Sequence, residues 1–571
     1  MVFTYIPDFN VLTVFGICFR RITILQYLSS CLIVLCLVLS APLRAQPVRN
    51  TVGRIMPMDA AALDEQVFRY LVVEPITLDA NIANYKAQSG MMPFEGLTLI
   101  NSNQELLPAA ADRWEVSEDE LKWTFYLREG ARWSDGRPVT AHDFEYTYKR
   151  GLDPKNGNVY AFMNYPIKGA EAFNIGEASD PSTVLVTALD ELTLVIETEV
   201  PCPYLPYITT WRGSGAVPRW KVEKYGEKWT EPENIATNST FVLNRWDIGD
   251  SFEFGLNRYY NGPHKAYLER IIGRFIGAES PSGYLAYEND EVDYQALTSM
   301  DVASIRNNPV LGRELRLVQA FWTEFIFFDT TKPPFNNLKV RQAISHAIDR
   351  DALCRIVLQD TATPAHSMLP PGYPAYLDNQ LASIQRYDPV LAKKLLKEAG
   401  YPNGRGFARQ EFVLGRPHHR LVAEAIQQML KSTLNIDLNI RLMDYSGYID
   451  AMYQWQLPMS LNGFSSDYYD PSSMLTMVWR SQPKGAGRQP WQHDDFDRLV
   501  DEAGREMDQD KRLGMYMDAQ RILSEDVGGV FLFYPKQAYL GKPWLKGIKE
   551  NPLGEYPFWN HIDIYIGDNK P

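Results

Sequence analysis

Residues 127–154, LREGARWSDGRPVTAHDFEYTYKRGLDP, constrain the fold more than any other stretch of this chain. Around its start Trp123, Phe125 and Leu127 alternate with more polar neighbours, the period of a half-buried strand. Ser134, Asp135 and Gly136 supply a tight turn, with Gly136 free to take positive φ. Thr140 stands three residues before Asp143, a capping-box spacing with Asp in place of Glu. Asp143 suits the positive end of the helix dipole, and Lys149 and Arg150 the negative end. Gly151 and Pro154 are expected to stop the helix. The segment predicts a strand, a turn and a capped helix, and it carries no catalytic group.

At 571 residues the chain exceeds one ordinary core, so two or three domains are expected. No Pro/Gly/Ser-rich linker divides it, and no repeat of roughly 20–50 residues is visible. Its domains are therefore expected to exchange strands rather than follow one another. Residues 70–73 and 192–197 read as strands, 217–225 as a helix entered through Pro218, and 240–246 with 251–256 as a hairpin. From Phe321 helices dominate: 339–355, 388–399, 419–432 and 495–523, with strands such as 436–442 between them. Asp388-Pro389 opens one helix and Gly400 closes it. The alternation predicts an α/β lobe with helices covering a sheet.

The net charge of −13 argues against nucleic acid or an anionic membrane surface as partner. Aromatics make up 12% of the chain, with 32 Tyr and 13 Trp, which suits ring-rich cores and equally a cleft lined by amphipathic rings. Arg20-Arg21, the apolar stretch 22–39 and the small Ala45 read as an export signal over residues 1–45. Two rival readings are a lipobox-like Leu28-Ser29-Ser30-Cys31 and an uncleaved anchor, since roughly 18 apolar residues is the lower limit for a span. Loss of the leader removes Arg20, Arg21, Arg44 and Asp8, a net +2, so the mature chain carries about −15. Cys18, Cys31 and Cys36 go with it. Cys202 and Cys354 remain, enough for one disulfide or two buried thiols but no disulfide framework.

In order and wording, residues 127–154 resemble the signature segment of the periplasmic peptide-binding proteins that feed ABC importers, extracellular solute-binding family 5. Further blocks follow in that family's order: YGEKW at 225–229, PENIATNSTF at 232–241, NRYYNGP at 257–263 and YENDEVDY at 287–294. KPPFNNLKVRQAISHAIDRDAL at 332–353, AKKLLKEAGYP at 392–402 and GFSSDYYDP at 463–471 complete the series. The resemblance implies an α/β, two-lobed periplasmic binding protein fold of type II, with an extra subdomain and a hinge of two strands. Lobe I would comprise 48–92, 214–318 and 535–571, the subdomain 93–213, and lobe II 319–534. It implies a monomeric, non-enzymatic, extracytoplasmic protein that captures oligopeptides and delivers them to an ABC permease, with no cofactor. The alternatives are a non-peptide ligand (oligosaccharide, metal chelate or haem-like) or a sensor role.

By the same resemblance Asp467 meets the peptide's α-ammonium. Every peptide with a free N-terminus brings that charge, and a carboxylate in a closed cleft answers it with a charge-assisted hydrogen bond. The bland reading is that Asp467 caps a turn before Pro471. Phe464 would form an apolar wall, with Ser465 and Tyr468 beside it. Asn238, Ser239 and Thr240 would border the extended ligand backbone, as in strand addition. Trp322, Tyr160 and His419 are further candidates, although packing alone accounts for a ring. The family's arginines ahead of the Asp motif are replaced by Met452 and Leu461; Arg416 and Arg480 are candidate substitutes, and the alternatives are recognition of the carboxylate from elsewhere or a ligand without a free carboxylate at that distance, such as a longer or cell-wall peptide. His418-His419 suggests no metal site: adjacent side chains diverge on a strand and lie about 100° apart on a helix. No GxSxG elbow, Walker loop or Gly-rich dinucleotide loop is present.

Overall fold

Residues 127–154 fold as read, with one exception. The strand Lys122–Leu127 buries Trp123, Phe125 and Leu127, and Gly136 takes φ +90°. The helix Ala141–Leu152 starts at Thr140, whose backbone N–H donates to Asp143 Oδ2 at 2.9 Å. Gly151 does not stop this helix. It lies in the last turn, where an added Cβ would sit 3.2 Å from the Asn81 amide. Glycine here serves close approach rather than positive φ, and the helix ends at Leu152.

The computed structural model describes residues 47–82, 93–277, 284–377, 380–549, 551–553 and 561–570. The expected leader, with Cys18, Cys31 and Cys36, lies outside them. Two sheets organise the rest. A four-stranded antiparallel sheet runs Ala111–Val116, Lys122–Leu127, Thr193–Glu197, Val186–Ala188. The helix Ala141–Leu152 packs Phe144, Tyr148 and Leu152 into the same core as Phe125, Leu194 and Ile196.

The second sheet has twelve strands and is held together by one long strand, Gly529–Gly541. The first half of that strand pairs with Trp322–Phe328, and the second with Leu315–Gln319 and Tyr294–Leu297. Met459–Ser465, Gln410–Leu414 and Leu438–Leu442 extend one side. Val67–Val73, Arg270–Ile276, Ser251–Leu256 and Phe241–Asp247 extend the other. Among the described residues the chain crosses between the halves twice, near residues 534–536 of the long strand and at 320–321 between Leu315–Gln319 and Trp322–Phe328. This is a two-lobed α/β fold on a two-strand hinge. The central strands are buried on both faces, so they read as near-continuous apolar runs rather than alternating ones.

Two expected helices are broken. The stretch 339–355 gives Leu338–Ala347 and then Arg350–Ala352, because the Asp349 side chain accepts from the Ala352 N–H and restarts the helix. The stretch 495–523 gives Asp494–Ala503 and Gln509–Glu525, the second capped by Asp508. Cys202 and Cys354 are both buried free thiols, not a disulfide. Burial pushes each up to about 12. Among the described residues no helix is long and apolar enough to cross a membrane.

Candidate functional site

The strands Gln410–Leu414, Leu438–Leu442 and Met459–Ser465 are mutually parallel through Gln410–Leu414, so their carboxyl ends share one edge. Trp322 begins the next strand directly opposite Ser465. In open α/β sheets, crevices beyond the carboxyl ends of strands are where ligands bind. Here that edge lies beside the hinge crossing, and two loops rise from it: residues 465–470 and residues 415–419.

The first loop is tightly fixed. The Ser466 N–H donates to the Phe321 carbonyl at 3.0 Å, tying the loop to the hinge. The Tyr373 hydroxyl lies 2.5 Å from Ser466 Oγ, 2.9 Å from the Tyr468 carbonyl and 2.8 Å from the Asp470 carbonyl. Asp470 caps the short helix Pro471–Met474 through the Ser472 N–H and forms a buried ion pair with Arg512 at 2.5 Å. Asp470 is thus the residue that caps the turn at Pro471. Asp467 is half-buried, and its backbone N–H donates to Ser473 Oγ at 3.0 Å. Sequence reasoning missed Tyr373, which nothing local marks, and passed over Asp470, although Asp470-Pro471 is the same helix-start signal as Asp388-Pro389.

Tyr468 reaches across to the other side of the molecule. Its ring stacks on Tyr204 at 5.8 Å and 6°, and it packs in one cluster with Met163, Ile208 and Trp211. Tyr469 faces Tyr207 at 6.5 Å and stacks on Phe321 at 5.4 Å. Tyr160 belongs to the same aromatic group, 5.3 Å from Trp211. These contacts join the 93–213 segment to the 465–470 loop, so Asp467 sits in sequence between a hinge anchor and an aromatic contact across the cleft.

The opposing wall carries residues 238–240. The Asn238 side chain accepts from the Glu95 N–H at 2.9 Å and donates to its carbonyl at 3.4 Å. It thus braces the wall, while the Thr240 hydroxyl donates to the His264 carbonyl at 2.9 Å. Ser239 is half-buried and, with Thr240, lines a cavity of about 80 Å³ that also touches Phe94, Glu95, Tyr260 and His264. Glu95 pairs with Arg128 at 2.6 Å and accepts from the Tyr260 hydroxyl at 2.7 Å.

Phe464 is buried, 4.9 Å beneath the Arg488 guanidinium, and faces Phe325 and Phe327 around a small cavity. Ser465 and Trp322 lie on the opposite face of the sheet. Met452 and Leu461 are 1% and 0% exposed, so neither position faces a ligand. Arg480 is held by both carboxylate oxygens of Asp501, at 2.6 and 2.8 Å, and is not spare. Arg416 lies 5.4 Å from both the Trp322 and Tyr445 rings and has no ion-pair partner among the described residues.

The histidines depart from the sequence expectation. Pro417–His419 forms a single tight turn, and the two rings meet edge to face at 4.5 Å instead of diverging. Glu324 completes a cluster with them, the three ligand atoms lying within 4.8 Å of one another. Burial pushes the Glu324 carboxyl up, but His419, with Arg416 and His418, more than offsets this and leaves it below its ordinary value. Glu324 was missed: its one signal is a lone carboxylate in the apolar strand WTEFIFF, and no spacing links it to His419.

The family model described as bacterial extracellular solute-binding proteins, family 5 Middle, matches residues 105–486. Among curated relatives, the probable deoxycholate-binding periplasmic protein YgiS of Escherichia coli is 29% identical, over 94% of this chain and 99% of its own. The periplasmic oligopeptide-binding protein OppA of Salmonella typhimurium is also 29% identical, over 80% of this chain and 84% of its own. The solved murein tripeptide-binding protein MppA of Escherichia coli superposes with a TM-score of 0.73 at 27% identity, covering 88% of this chain and 98% of MppA.

Proposed function

Because the chain belongs to the bacterial extracellular solute-binding proteins of family 5, we propose that it captures oligopeptides between its two lobes and delivers them to an ABC permease. It acts as a periplasmic monomer, exported by its leader, and turns nothing over. The lobes follow 48–92 with 214–318 and 535–571, and 319–534, with 93–213 as the subdomain. The Asp467 carboxylate receives the peptide ammonium. Ser465, Trp322 and Tyr468 border the first ligand residues, with Phe464 as apolar backing beneath. Ser239 and Thr240 line the far wall through their backbone, with Asn238 bracing it. Tyr160 closes the side. Arg416 meets the ligand carboxylate in place of the family arginines, and His419 supports it from below.

The observation that carries this reading is the placement of the 465–470 loop. It grows from the carboxyl ends of parallel strands, is pinned to the hinge through Ser466, and touches the facing subdomain through Tyr468. A carboxylate in that loop is sealed from water when the lobes close, which strengthens its pairing with an ammonium.

Calorimetric titration with a defined peptide, its N-acetylated form and deoxycholate tests the reading. Deoxycholate is included because YgiS carries that ligand in its name. The free peptide should bind one to one, and acetylation should weaken it about 30-fold or more, the loss for removing one member of a desolvated charge pair. Equal affinity for both peptide forms refutes the Asp467 role. Binding of deoxycholate with none of peptide refutes the ligand class.

A further inference from the structure

We propose that Glu324, His418 and His419 form a binding site for a divalent cation of the zinc class. The site is distinct from the Asp467 ammonium contact. The Glu324 and His419 side chains are 6% and 3% exposed. Glu324 Oε2 and His419 Nε2 face each other as an ion pair at 3.3 Å, while the buried His419 Nδ1 has no hydrogen-bond partner among the described residues. Buried polar atoms are ordinarily satisfied, and such an orphan calls for a partner. Two atoms each bound to one tetrahedral zinc ion at its usual distances are separated by about 3.3 Å.

The neighbours fit this reading. Trp322 Nε1 donates to Glu324 Oε1 at 3.0 Å, fixing the carboxylate so that Oε2 faces His419. Gly463 lies directly opposite Glu324, and a Cβ there would fall 2.4 Å from Glu324 Oε1, so only glycine admits this carboxylate. His418 is exposed and brings the third ligand from the solvent side, which gives an ion its entry. Two imidazoles and one carboxylate leave a fourth position for water or an anionic oxygen, the pattern of open zinc sites. Arg416 acts on the same cluster and opposes a bare cation, so it sets the affinity below that of a purely anionic cage.

Untagged, chelator-treated protein titrated with Zn²⁺ by calorimetry, and with Co²⁺ by its visible ligand-field bands, tests the site. One equivalent of Zn²⁺ and a tetrahedral Co²⁺ spectrum are expected. His418→Ala should weaken binding at least about 10-fold while leaving the circular dichroism spectrum unchanged. Arg416→Ala, which removes the repelling charge, should tighten it. Substoichiometric uptake, or unchanged affinity in His418→Ala, overturns the proposal, and so does weaker zinc binding in Arg416→Ala. A protein that binds peptide but no zinc loses this site alone.

Discussion

Asp467 and Asp470 share one loop, and we assign them different tasks. Asp470 caps a helix and neutralises a buried guanidinium, so its removal strands Arg512 without a counter-charge. Asp470→Ala should therefore lower unfolding stability by about 3–5 kcal/mol in denaturant melts. Asp467→Asn should weaken binding of free-amine peptides and leave the affinity for their N-acetylated forms unchanged. Cys202, with its thiol pushed up to about 12 by burial, should resist alkylation at pH 8 in the native state and react at once in urea. The Asp467 motif was legible in sequence because its block stands in family order. The buried pairing of Asp470 was not, because it depends on Arg512, brought in by the fold. Glu324 was equally hidden, since its partner His419 arrives on a different strand's exit turn.

Elements were legible where a local signal fixed an end. Thr140 with Asp143, and Asp388 with Pro389, mark helix starts that the structure reproduces. Breaks inside long amphipathic runs were not, because Asp349 and Asp508 look like ordinary surface residues until their side chains cap a new helix. Glycines behave similarly. Gly151 and Gly463 both serve close approach rather than turning, and only the packed neighbour reveals it. Gly463→Ala drives a Cβ to within 2.4 Å of Glu324 Oε1 and 2.3 Å of Trp322 Nε1. It should cost about 1–3 kcal/mol of stability, read as a lower denaturation midpoint.

At the scale of the molecule, the missing linkers were the useful signal: one long strand, Gly529–Gly541, belongs to both halves of the sheet. Strand order and register were illegible, because pairings such as Val67–Val73 with Arg270–Ile276 join segments far apart in sequence. The halves also meet through side chains, Tyr204 on Tyr468 and Tyr207 near Tyr469. Stacked aromatic pairs contribute about 0.5–1.5 kcal/mol beyond the area they bury. Removing one favours the open arrangement by that amount and reduces ligand affinity by the same factor. Tyr204→Ala should thus enlarge the radius of gyration in X-ray scattering of the ligand-saturated protein and speed peptide release.

The occupant we propose for the space between the lobes is an oligopeptide. Native mass spectrometry of protein released from cells without refolding reads that occupant directly. A heterogeneous set of adducts that sequence as short peptides with free N-termini is expected. A single bile acid, sugar or haem mass in their place would contradict the proposal.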